Sequence, residues 1–105
     1  EAWMKKRIKM ITKKFNRGGT LNNTVTQEQI NNLFDASEKK VETYWNKCTV
    51  MTVQLANGFT IVEHSACVDP ANYDAAIGVE ICERKVKDQL WAFEGYKLQC
   101  ELGKL

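Results

Sequence analysis

The sequence has one histidine, His64, one proline, Pro70, and no apolar stretch long enough to cross a bilayer. Its four cysteines, at 48, 67, 82 and 100, never form a close pair. With a single histidine beside them, that spacing argues against a zinc site, which needs clustered ligands. Near the N-terminus, Trp3, Met4, Ile8, Met10 and Ile11 are interrupted by charge and never make the apolar run of a secretion signal. An even cysteine count would permit a disulfide framework in a secreted chain. Without a signal the thiols read as reduced, and the compartment as the cytoplasm. No internal repeat or low-complexity segment is present.

What is present is one small domain's worth of chain, 105 residues, with a divided charge. Residues 1–17 hold seven positives against Glu1, while the remainder holds eight positives and twelve negatives. A basic flexible arm over residues 1–23, closed by the loop-like Asn16-Arg17-Gly18-Gly19, therefore precedes a mildly acidic single α+β domain over 24–105. Such an arm can attract nucleic acid by counterion release, but a solvated arm is the plainer reading, and nucleic acid is not an expected partner. A core this small gains from a second subunit, so homo-oligomerisation is expected.

Thr26-Gln27-Glu28-Gln29 has the form of a capping box, and Ile30, Leu33, Phe34, Val41, Tyr44 and Trp45 follow at helical spacing. These predict a helix from Thr26 to about Asn46. From Lys47 the period becomes two, and Thr49, Val50, Thr52 and Val53 suit a pleated surface. Strands Lys47–Leu55 and Phe59–Ser65, joined at Asn57-Gly58, predict an antiparallel hairpin. Asp69-Pro70 then predicts the start of a long second helix, with Ile77, Ile81, Cys82, Val86, Leu90, Trp91 and Phe93 as its apolar face and Gly95 as a weak point or end. The fold class is α+β: an N-terminal helix, a hairpin and a long C-terminal helix.

The join between returning strand and second helix concentrates the chemistry: His64, Ser65, Cys67, Asp69, Asn72, Tyr73 and Asp74. A hydrolase reading makes Cys67 the nucleophile, His64 the base and Asp69 its orienter. Such groups usually meet from separate segments, so the chain is not expected to be an enzyme. An anion-binding reading uses the N-terminus of the second helix, but Asp69 and Asp74 oppose it. Arg84, Lys85 and Lys87 read more plainly as a solvated helix surface with i,i+4 pairs Glu80–Arg84 and Glu83–Lys87.

Lys47-Cys48-Thr49-Val50, Asn57-Gly58-Phe59, Ser65 through Asp74, Gly78, Ile81-Cys82, Trp91 and Glu94-Gly95-Tyr96 occur in an order that resembles a family of small tailed-phage proteins known by gene-product number (coliphage gene product forty-nine-like). That family is in turn similar to phage Thoeris anti-defence proteins that act as signal sponges. The resemblance implies a non-catalytic protein that sequesters a cyclic ADP-ribose isomer or a cyclic oligonucleotide signal in the infected host's cytoplasm. It implies dimers or higher homo-oligomers with pockets shared between subunits, and neither cofactor, metal nor membrane. A ligand with an adenine and a pyrophosphate needs stacking, amide and cationic groups. Phe59 and Tyr73 are candidates to stack, Asn72 to read adenine or ribose, and Arg84 to hold phosphate. Gln89 stands where a sponge is expected to carry a basic residue, and Lys85, Lys87 or a neighbour's Arg17 are candidate substitutes. The alternative is a protein-interaction module that inhibits a host or defence protein directly.

Overall fold

Thr26 opens the first element as its sequence predicts: its Oγ1 accepts the Gln29 N–H at 3.1 Å at the head of helix α1 (Gln27–Asp35). The other half of the capping box is not made. Gln29 Nε2 instead donates to Glu94 Oε1 at 2.7 Å, which ties α1 to the C-terminal helix. The computed structural model describes residues 23–103. The basic arm expected over 1–23, Arg17 included, lies outside the described residues except for Asn23.

Helix α1 ends at Asp35, and the expected continuation to Asn46 is a strand instead, β1 (Glu38–Tyr44). It pairs antiparallel with β2 (Cys48–Gln54) over the full register from Glu38↔Gln54 to Tyr44↔Cys48. The reason is tertiary. A hairpin of β2 with the following strand alone leaves one edge of β2 with unpaired backbone groups, and a seven-residue ladder satisfies them. The helical spacing of Val41, Tyr44 and Trp45 loses to that ladder. Ser37 Oγ and Lys39 Nζ both donate to the Phe34 carbonyl, closing the helix end.

Trp45 (φ 53°) and Asn46 (φ 52°) make the two-residue turn between β1 and β2, with Lys47 N–H donating to the Tyr44 carbonyl at 3.1 Å. Two positive φ values at the centre of a hairpin define a type I′ turn. The Asn57-Gly58 connection is the longer one. Only Gly58 (φ 93°) is left-handed there, and Leu55 N–H donates to the Phe59 carbonyl at 2.8 Å across a three-residue loop. That loop leads into β3 (Thr60–Ala66), and the sheet order is β1-β2-β3.

Asp69 caps only a single 3-10 turn, Pro70–Asn72. The long helix α2 (Ala75–Leu102) starts later, where Asp74 Oδ1 accepts the N–H groups of Ala76 and Ile77 at 2.9 and 3.3 Å. It runs straight through Gly95, whose cost of about 1 kcal/mol is small beside that of abandoning the packing of its last turns on α1. Gly78, Cys82, Val86 and Leu90, four apart, form the buried seam laid on β2 and β3. Ile77 and Phe93, expected on the apolar face, are 54% and 42% exposed. The core joins that seam to Ile30, Leu33 and Phe34 of α1 and to Met51, Val53 and Ile61 of the sheet.

Gly78 sets how closely α2 lies on the sheet. A Cβ there would fall 2.2 Å from Thr49 Oγ1 and 2.9 Å from Thr49 Cβ, so only glycine admits the contact. By strand alternation the opposite face of the sheet, carrying Lys40, Glu42, Val50, Thr52, Val62 and His64, is turned away from both helices.

Candidate functional site

At the strand-to-helix join, the 3-10 turn folds back over the end of β3. It leaves a cleft of about 140 Å³ lined by Ser65, Cys67, Asn72, Tyr73, Ile77 and Ile81. Tyr73 is a strap across this end of the sheet: its hydroxyl shares hydrogen bonds with Thr49 Oγ1 at 2.6 Å and Thr43 Oγ1 at 3.0 Å. Thr49 is 1% exposed, so this phenol satisfies a hydroxyl that water does not reach. Asn72 is exposed, with its backbone N–H donating to the Asp69 carbonyl.

Two of the three groups of the hydrolase reading, Cys67 and Asp69, are engaged with backbone. The Cys67 thiol donates to the backbone carbonyls of Asp69 (3.2 Å) and Lys47 (3.7 Å), and Asp69 caps the 3-10 turn. His64 is exposed, and its carbonyl accepts from Lys85 Nζ at 2.8 Å. The first free N–H groups of α2 are filled by the chain's own Asp74 carboxylate, which removes them from an anion.

Among the expected cations, Lys87 pairs with Glu83 at 3.1 Å and lies 5.1 Å from the Phe34 ring centre, a ring that also has Lys39 at 4.6 Å. Glu80 and Arg84 form no ion pair among the described residues, and Arg84 is exposed. Gln89 Nε2 donates to Glu63 Oε2, so its amide holds α2 to β3.

A larger cleft opens at the other end of the sheet. About 330 Å³ in volume, it is walled by Leu33, Leu55, Phe59, Leu90 and Phe93 and rimmed by Asn57, Glu94 and Lys97. The Phe59 and Phe93 rings meet edge to face, 5.4 Å between centres and 79° between planes. Phe59 is 51% exposed, so this aromatic pair is presented rather than buried. Strand β3 separates the two clefts by about 20 Å. Of the five expected ligand residues, Phe59 alone lines the larger cleft, and Asn72 and Tyr73 line the smaller. One protomer does not bring all five together. Phe93, Lys97 and Asn57 line the larger cleft and are not among the expected ligand residues. The spacing of Phe93 and Lys97, one helical turn apart and just beyond the buried seam, was the available signal.

Among the described residues, three groups carry shifted proton affinities. Burial pushes the Cys82 thiol up, against the opposing pull of Lys85. Tyr44 is raised by its hydrogen bond to the Glu42 carboxylate, and Tyr96 by its hydrogen bond with Cys100. All four cysteines are free thiols.

A helix-backed, three-stranded antiparallel sheet with an aromatic cleft at one end defines a small two-layer α+β protein. Residues 19–102 match the Phage protein (N4 Gp49/phage Sf6 gene 66) family, and the chain belongs to that family. No match was found among curated proteins or among solved structures. Among the described residues no helix is long and apolar enough to cross a membrane, and no three metal-ligating side chains cluster.

Proposed function

We propose that this bacteriophage-family protein binds a cyclic nucleotide immune signal, a cyclic ADP-ribose isomer, and holds it intact in the cytoplasm of the infected cell. The observation that carries this reading is the Phe59–Phe93 cleft. At about 330 Å³ it lies within the usual range for small-molecule sites and accommodates a base and its ribose. An adenine fits against the exposed aromatic pair, Asn57 supplies an amide and Glu94 a carboxylate for ribose hydroxyls, and Lys97 meets phosphate at the rim. Asn72, Tyr73, Arg84 and Gln89 join the same ligand only through a second subunit, in keeping with the homo-oligomer the resemblance implies.

Isothermal titration against cyclic ADP-ribose isomers and cyclic oligonucleotides tests this. Binding of at least one, weakened about tenfold or more by Phe93→Ala, with unchanged ligand recovered after heating the complex, is the expected result. Silence across that panel, with a stoichiometric protein partner recovered from host lysate, favours the interaction module. Recovery of a cleaved product favours a hydrolase.

A further inference from the structure

Three polar side chains rim the larger cleft, Asn57, Glu94 and Lys97, and a fourth, Gln29, stands behind them across the notch that Thr24 and Val25 line. Their hydrogen bonds fix what each can still offer. Gln29 leaves its half of the capping box unmade, and its Nε2 donates instead to Glu94 Oε1 at 2.7 Å. Glu94 Oε2 has no protein partner among the described residues. Lys97 lies one helical turn from both Glu94 and Glu101, yet the one ion pair among the described residues is Glu83–Lys87. Asn57 Oδ1 accepts the Phe59 N–H at 3.0 Å, and its Nδ2 is left as a donor.

The neutral partner decides the chemistry. A salt bridge between Lys97 and Glu94 would leave neither charge to a ligand, whereas the Gln29 amide steadies the carboxylate and leaves its charge whole. A fixed carboxylate accepts and never donates, so it suits the two donor hydroxyls of a ribose, the contact that acidic residues make in dinucleotide-binding folds. A phosphate in the same place meets a like charge. The Lys97 ammonium, unpaired among the described residues, stands next along the helix. Neighbours at that spacing have about 5–6 Å between Cβ atoms, so the hydroxyls and the phosphate of one nucleotide reach both groups together.

We propose that Glu94, held in place by Gln29, selects a nucleotide with a 5′-phosphate and an unesterified ribose diol: the diol at Glu94, the phosphate at Lys97, the base against Phe59 and Phe93. A ribose esterified by phosphate at either hydroxyl is turned away, and each ribose of a cyclic oligonucleotide carries such an ester. Gln29 is a positioning residue, since it acts on the ligand only through Glu94. The inference rests on the nucleotide reading of this cleft and narrows it, favouring ADP-ribose rings with a free diol over cyclic oligonucleotides.

Fragment titrations on the full chain, followed by amide chemical shifts, test it with adenosine 5′-monophosphate, its 2′-deoxy form and adenosine 2′,5′-bisphosphate. The wild type should bind the monophosphate about tenfold more tightly than either relative. Gln29→Met removes the donor at nearly constant length. It should weaken the monophosphate about fivefold and leave the 2′-deoxy form unchanged, whereas a merely loosened α1 weakens both alike. Glu94→Gln should bring the bisphosphate up to the monophosphate, because the repelling charge is gone. Absence of monophosphate binding, equal affinity for all three in the wild type, or a Gln29→Met chain that weakens all three to one degree would each overturn the inference. A cyclic ADP-ribose isomer bound in the calorimetric panel leaves the nucleotide reading standing after such a result, and silence in both experiments removes both.

Discussion

Gly78 and Thr49 touch where α2 comes nearest the sheet, and neither can give way. Thr49 is enclosed and its hydroxyl is held by Tyr73, so an added methyl at 78 has to push the helix outward. Gly78→Ala should cost about 1–3 kcal/mol in urea unfolding despite alanine's better helix propensity. Thr49→Ala in the same chain should recover part of that loss, because the nearest atom is then gone. Cys82 gives a second residue-scale expectation. Burial raises its thiol above the ordinary range, so the folded protein retains that proton where the unfolded chain releases it. Its contribution to stability is therefore complete below the ordinary thiol pKa and lost as pH rises through the raised value. Alkylation at mildly alkaline pH should modify exposed Cys100 first and Cys82 last, as read by mass spectrometry of timed samples.

At the scale of elements, the hairpin and the long helix were legible because their signals are local: β-branched alternation, Asn57-Gly58, and apolar residues four apart. Strand β1 was not. Glu38-Lys39-Lys40-Val41-Glu42 carries too little apolar content to announce a strand, and its pairing is dictated by a partner edge elsewhere in the chain. The turn at Trp45-Asn46 was hidden for a related reason, since tryptophan is not a residue that turn chemistry selects. Within the site, local sequence led to Asn72 and Tyr73, which share the motif with the capping residues Asp69 and Asp74. The cleft walls come from α1, the β2–β3 loop and α2, and no local pattern joins them. Of the two expectations for Gly95, a weak point or an end, the end is excluded by the helix running on to Leu102. A Cβ there meets nothing within 4 Å, so Gly95→Ala should stabilise the protein by about 0.5–1 kcal/mol, visible as a raised melting temperature.

For the whole molecule, the two clefts stand at opposite ends of one sheet, so the proposed ligand meets the residues of both only where a second subunit is present. Ligand binding and self-association then favour one another, and the coupling is reciprocal. Saturating ligand should shift the wild-type sedimentation profile toward the oligomer, and raising the protein concentration should strengthen apparent ligand affinity.

The close approach at Gly78 also has a mechanical side. It fastens a 28-residue rod near one end, and Leu102 lies about 36 Å further along the axis. A tilt of about 5° about that fastening would carry the far end by about 3 Å. What opposes such a swing is the seam of Cys82, Val86 and Leu90 on the sheet and, beyond it, the strut α1, braced by the Gln29–Glu94 hydrogen bond and by Phe34 beneath Lys87. Because Leu33 and Phe93 stand on strut and rod respectively, a change in that brace would alter the spacing of two walls of the aromatic cleft.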